Sequence, residues 1–226
     1  MCIEVKIKKE VILSEIMIPG PAGLLQGKMV TVEEQDAPIA FVLHPHPLHG
    51  GTMNNKIVHT LFKKFASYDF NVLKINFRGV GKSQGKSFGG YEEIEDALTA
   101  LDWAIKKSSH SQKKTPKIWV AGFSFGAWVA MQIAMRRPEV VGFVAVSPPV
   151  ENYSFNMLTP CPSGIILQGS EDQVVDCDAV ESLASQLIPQ KGSEIVFKKM
   201  EADHYFKGKL DELGGHISYY LDSKIL

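Results

Sequence analysis

The sequence predicts an α/β fold: a mostly parallel β-sheet with helices on both faces, preceded by an antiparallel hairpin. Three observations carry this. Short apolar runs at 38–43 (PIAFVL) and 140–146 (VVGFVAV) have the unbroken hydrophobicity of strands buried on both faces. Between such runs, apolar residues recur at helical spacing, as in Ile57, Val58, Leu61, Phe62 and Phe65. Glycine- and proline-rich turns mark the changes from one pattern to the other. Strand–helix repetition of this kind builds a parallel sheet with both faces covered.

Taken in order, residues 11–18 predict a strand, Pro19-Gly20-Pro21-Ala22-Gly23 a turn, and 24–32 the returning strand of a hairpin. The strand at 38–43 leads into a histidine-, proline- and glycine-rich loop and then the first helix. Residues 71–77 (NVLKINF) are the next strand, followed by Arg78-Gly79-Val80-Gly81-Lys82-Ser83. Ile94, Leu98, Leu101 and Ile105 mark a helix opened by acidic residues, which suit its N-terminal dipole. A lysine-rich loop (106–117) overlaps the start of a strand at 117–121 (KIWVA), and a helix at 125–137 ends where Pro138 stops it. Strands at 140–146 and 164–168, a helix through Val180, Leu183, Ala184 and Leu187, a strand at 194–200 and a closing helix through Leu210, Leu213, Ile217 and Leu221 complete the chain. The gap between 146 and 164 leaves no room for a substantial cap, and no repeat or linker divides the chain. A single domain over 1–226 is expected.

Composition narrows the functional classes. At 226 residues and 45% hydrophobic, the chain can build one sizeable core. A formal net charge of −1 gives no global field toward nucleic acid or anionic membrane, and neither partner is expected. Cys2, Cys161 and Cys177 are too few and scattered for a disulfide framework, which suits a reducing compartment. The N-terminus has no apolar signal core, and no run approaches the roughly 20 apolar residues of a membrane span, so a cytoplasmic location is expected.

The chemistry centres on Gly122-Phe123-Ser124-Phe125-Gly126, set between a predicted strand and a predicted helix. In that context G-x-S-x-G is a sharp turn that presents a serine hydroxyl at the strand's end. Small residues on either side let strand and helix approach closely. The helix N-terminus offers the Phe125 N–H to a developing oxyanion. The chain here resembles the α/β-hydrolases, with Ser124 as nucleophile.

That resemblance extends from the strand at 38–43 to the closing helix and is carried by four motifs in the family's order. Gly169-Ser170-Glu171-Asp172-Gln173-Val174 is similar to the family's turn bearing the catalytic acid. It implies Asp172, with Glu171 as runner-up; Asp176 and Asp178 are expected to cap the next helix. Ala202-Asp203-His204-Tyr205-Phe206 stands where the family carries its base, implying His204. The competitor His216 falls within the closing helix, where a surface or packing role is expected, as for His59 and His110. His44-Pro45-His46-Pro47-Leu48-His49-Gly50-Gly51 occupies the place of the second oxyanion loop. Matching His44-Pro45 to the family's His-Gly implies the His46 amide as donor, with Leu48 behind it. Arg78 to Ser83 resembles the Arg-Gly-x-Gly-x-Ser loop of the family. Its G-K-S is not a phosphate loop, because Asn76 stands where the first glycine is needed. Arg78 is expected to anchor this loop.

His44, His46 and His49 also suggest a metal reading, but no acidic residue stands beside them and the triad explains the loop without one. No metal or cofactor is expected. The motifs look most similar to small, lidless hydrolases related to dienelactone hydrolase, which implies a serine esterase acting on a small ester or thioester. Leu48, Met53, Phe125, Trp128 and Phe206 are candidates for its apolar wall. Peptide-type amide cleavage by the same triad, and a non-catalytic binding protein on this scaffold, are the alternatives.

Overall fold

The computed structural model describes residues 11–34, 37–108, 116–155 and 161–225. Cys2, His110 and most of the lysine-rich loop lie outside them. The hairpin forms as expected: β1 (Val11–Gly20) and β2 (Gly23–Val32) pair antiparallel from Val11↔Val32 to Gly20↔Gly23. Then come β3 (Ile39–Leu43), α1 (Lys56–Ala66), β4 (Asn71–Ile75), α2 (Tyr91–Ser108), β5 (Ile118–Phe123) and α3 (Phe125–Arg136). The chain continues through β6 (Val140–Val146), β7 (Ser163–Gly169), α4 (Cys177–Leu187), β8 (Ile195–Met200) and α5 (Leu210–Ile225).

The strands form one eight-stranded sheet in the order β1-β2-β4-β3-β5-β6-β7-β8. β2 meets β4 antiparallel, and every pairing from β4 to β8 is parallel. The central strands β3, β4 and β5 are buried at every position, as their unbroken apolar runs require. One face is covered by α2, α3 and α4 through residues such as Leu101, Trp128, Ile133 and Leu183. The other is covered by α1 and α5 through Leu61, Phe65, Leu213 and Ile217. Among the described residues no cap domain separates β6 from β7.

Most element ends shift by a residue or two from expectation, and at three of them the physical reason is plain. β5 runs through Phe123 because its pairing with β6 continues to Gly122↔Ala145 and Phe123↔Val146. α3 stops at Arg136 because Arg137, which precedes Pro138, is extended at φ −125°, ψ 96°. β4 ends at Ile75 because the Phe77 N–H leaves the sheet to bond His44 Nε2 at 3.0 Å. Arg78 is an anchor: its guanidinium grips Asp96 through Nε and Nη2 at 2.8 and 2.7 Å, and Nη2 also donates to the Glu92 carbonyl. Both side chains are buried, which makes this fork-shaped pair a rigid tie between the β4 loop and α2.

Candidate active site

The site lies where such sheets place ligands, beyond the carboxyl ends of the parallel strands. Ser124 sits between β5 and α3 at φ 52°, ψ −121°, a left-handed backbone that costs a non-glycine residue of order 1–3 kcal/mol. The turn is held by Ser124 N–H to the Val146 carbonyl at 2.8 Å, and by Ala127 N–H to the Ser124 carbonyl at 2.8 Å. The flanking glycines are required by close approach. A Cβ on Gly122 would meet the Gly126 carbonyl oxygen at 2.1 Å, and one on Gly126 would meet those of Leu43 and His44 at 2.4 and 2.6 Å. Gly126 thus lets the end of β3 press against the first turn of α3.

Two candidate amides stand on the segments on either side of that contact. Phe125 N–H opens α3, and His46 N–H stands in the loop leaving β3. Neither donates a hydrogen bond among the described residues. Leu48 N–H, the alternative donor, is occupied by His46 Nδ1 at 3.2 Å. The His46 ring packs 5.1 Å from Phe125 and stacks on His49 at 4.2 Å. Burial, then His49, keeps His46 below the ordinary histidine range. His44 takes no part in this cleft. It is fully buried, donates Nδ1–H to the Pro45 carbonyl at 2.6 Å, and accepts Phe77 N–H at Nε2. With both ring nitrogens committed to the backbone, His44 cannot join His46 and His49 around a metal.

Asp172 and His204 meet at the ends of β7 and β8. Their link, Nδ1 to Oδ2, is 2.7 Å, and the side chains are 6% and 0% exposed for His204 and Asp172. The Asp172 carboxylate is held by four donors. Val174 and Val175 N–H reach Oδ1 at 2.8 and 2.9 Å; Gln168 Nε2 and His204 Nδ1 reach Oδ2 at 3.0 and 2.7 Å. Burial alone would raise its pKa. The bonds from His204, Val175 and Val174 outweigh that and hold it below the usual aspartate range. An ionised, acceptor-only carboxylate fixes the His204 proton on Nδ1 and leaves Nε2 with its lone pair. The His204 ring lies 4.9 Å from that of Phe123, the residue immediately before Ser124. No hydrogen bond joins Ser124 Oγ to His204; contacts of this kind often tighten only when the reacting group is engaged. Glu171 points outward, with its backbone N–H on the Ala202 carbonyl. His216 sits on α5 at 4.0 Å from Glu212 and takes no part in this cluster.

A cleft of about 260 Å³ opens at Ser124, lined by His46, His49, Phe125, Pro149, Asn152, Tyr153, Val174 and Val175. Of the apolar wall expected from sequence, only Phe125 lines it. Met53, Trp128 and Phe206 are buried in the protein, at 1%, 2% and 0% exposure, and Leu48 is exposed outside the cleft's lining. Trp128 packs within the helical face, its indole N–H on the Ser154 carbonyl. Phe206 belongs to the core under α1 and α5. The missed residues Pro149, Asn152 and Tyr153 follow β6, where Ser147-Pro148-Pro149 was the available signal of a turn at the site edge.

Comparison with known proteins agrees with this geometry. A family model described as serine aminopeptidase, S33, matches residues 46–163, just over half of the chain. An uncharacterized protein of Rickettsia prowazekii is 44% identical over 92% of this chain and 89% of its own length. The chain belongs to this family of α/β-hydrolases. Among solved structures, a protein of unknown function from Agrobacterium tumefaciens, taken to be an α/β hydrolase, superposes at a TM-score of 0.89 with 44% identity over 94% of this chain and 96% of that one. An α/β serine hydrolase homologue from Coxiella burnetii gives 0.81 at 36% identity over 92% and 97%. A serine hydrolase without a lid from Xanthomonas campestris gives 0.80 at 27% identity over 93% and 94%. The family model ends before Asp172 and His204, so for this α/β-hydrolase those residues rest on the geometry above.

Proposed function

We propose that this α/β-hydrolase is a serine esterase that cleaves an ester or thioester of a small carboxylic acid through Ser124, His204 and Asp172. Ser124 Oγ attacks the carbonyl carbon as His204 Nε2 takes its proton. The tetrahedral oxyanion is held by the Phe125 and His46 amides. Collapse expels the alcohol or thiol, which receives the proton from His204 and leaves an acyl-serine. Water, deprotonated by His204, then releases the acid and restores Ser124. The observation that carries this reading is the four-donor Asp172 carboxylate bonded to His204 Nδ1, with that ring against the residue preceding a strained Ser124.

The family description raises aminopeptidase activity as a second reading. A site selecting a free α-ammonium needs a carboxylate or equivalent acceptors near the nucleophile. The described lining of the Ser124 cleft contains no aspartate or glutamate, which favours the neutral ester. Cys161 and Cys177 are free thiols, in keeping with a reducing, cytoplasmic setting.

The test is a matched substrate panel carrying one short acyl group as p-nitrophenyl ester, thioester and p-nitroanilide, with an aminoacyl p-nitroanilide alongside. Turnover of the ester or thioester well above both amides is expected. Faster hydrolysis of the aminoacyl amide would transfer the assignment to the peptidase reading.

A further inference from the structure

Lys74 occupies β4, a strand buried at every position, and is itself only 4% exposed. Its ammonium has three N–H donors. One reaches the Met53 carbonyl at 2.9 Å, and the nitrogen stands 4.9 Å from the centre of the Phe62 ring. Among the described residues it has no carboxylate partner. Its cross-strand neighbour on β2 is Lys28, whose own charge is matched by Glu15 at 2.9 Å. A buried, unmatched cation opposite a like charge is unfavourable unless something compensates it. Burial, and then Lys28, push Lys74 down to about 8, which still leaves it mostly protonated at neutral pH.

Beside Lys74 is a cavity of about 390 Å³, lined by Asn54, Lys56, His59, Thr60 and Leu210 together with Lys74. Its described lining holds no acidic side chain and shares no residue with the Ser124 cleft. Lys56 and His59 are exposed on its rim, one helical turn apart on α1. Burial, then Lys63 and Lys74, hold His59 below the ordinary histidine range, so at neutral pH it enters as a hydrogen-bond donor more than as a cation. An oxyanion here would take the free donors of Lys74 and the charge of Lys56 in a partly desolvated setting, where charge-assisted bonds are strong.

We propose that this cavity binds the phosphate or carboxylate group of a small anionic ligand, with Lys74 as its floor and Lys56 and His59 as its rim. The site is independent of the hydrolytic reading of Ser124.

The experiment is calorimetric titration of the full chain with sodium phosphate and with sodium acetate, at constant ionic strength set by sodium chloride. Wild type, Lys74→Met and the rim double variant Lys56→Gln/His59→Gln are compared. Saturable binding of at least one anion is expected, weakened about tenfold or more by Lys74→Met and several-fold by the rim variant. Binding of phosphate alone assigns the group as phosphoryl; binding of both shows that a carboxylate is accepted. Absence of saturable binding in wild type overturns the proposal, as does unchanged affinity in Lys74→Met. Should Lys74→Met fail to fold, unchanged affinity in the folded rim variant, whose substitutions are exposed, overturns it equally.

Discussion

His44 and His204 are both buried histidines on loops at the carboxyl edge of the sheet, yet their surroundings give them opposite characters. His44 spends both ring nitrogens on the backbone, one on Pro45 and one on Phe77. Burial, opposed by the Pro45 bond and Glu93, brings it down to about 4, so it stays neutral and tethers the β3 loop to the end of β4. His204 spends only Nδ1, on Asp172, and its Nε2 has no described protein partner. A ring with both nitrogens committed is a brace. One with a single committed nitrogen, oriented by an ionised carboxylate and packed on the residue before a strained serine, is equipped to move a proton.

This contrast can be broken most severely at the second histidine. His204→Ala or Ser124→Ala should lower kcat/KM by about 10⁴–10⁶ while leaving thermal stability close to wild type. His44→Gln should do the reverse, costing about 2–3 kcal/mol in denaturant titration while folded molecules keep turning over. Loss of activity without loss of stability in His44→Gln would erase the distinction. Next in size, Asp172→Asn should cost about 10³–10⁴ in kcat by releasing the Nδ1–H tautomer, with a smaller effect on KM.

The oxyanion loop allows a finer test. His46 has φ −50°, close to the proline range, so His46→Pro can remove its N–H with little change at this residue's φ. His46→Ala keeps the amide but loses the ring and its bond to Leu48 N–H. A drop of about 10²–10³ in kcat for His46→Pro relative to His46→Ala is expected in ester assays. Equal activities would move the second donor elsewhere.

The comparison also extends to acid stability. An unfolded histidine takes up a proton near 6.5, whereas His44 in the folded protein resists until about 4. The unfolded state therefore binds more protons between those values, and stability falls as pH drops through that window, by about 3 kcal/mol in all. Asp172, held low, adds its own loss at still lower pH, as pH falls below the ordinary aspartate value and through the lowered folded one. Denaturation midpoints followed from pH 7 to 4 should decline in wild type and be flatter in His44→Gln.

Much of this was legible in the sequence because it follows local rules. The hairpin's turn signal and the alternation of buried runs with helical spacing located the eight strands and five α-helices of the described residues, but not the short 3₁₀ turn at Pro47–His49. G-x-S-x-G between them located the turn that strains Ser124. Asp172 and His204 stood out only through motifs similar to the family's, and no local rule shows the 2.7 Å contact that joins these positions far apart in the chain. The cleft wall was not legible. Met53, Trp128 and Phe206 are apolar residues beside site motifs, and one dimension cannot tell such a residue from core. Conversely, Asn152 and Tyr153 carry no motif and reach the cleft only because the chain turns back after β6 at Ser147-Pro148-Pro149. Lys74 was not legible either, because nothing in the run at 71–77 tells that its lysine is buried.

The central claim is that Ser124 is a nucleophile activated by His204. The most direct measurement is labelling with a fluorophosphonate, followed by mass mapping of the adduct in wild type, Ser124→Ala and His204→Ala. The account predicts a single adduct on Ser124 in wild type, none in Ser124→Ala, and labelling slowed to background in His204→Ala. A folded wild-type protein that takes no label, or takes it at another residue, would contradict it.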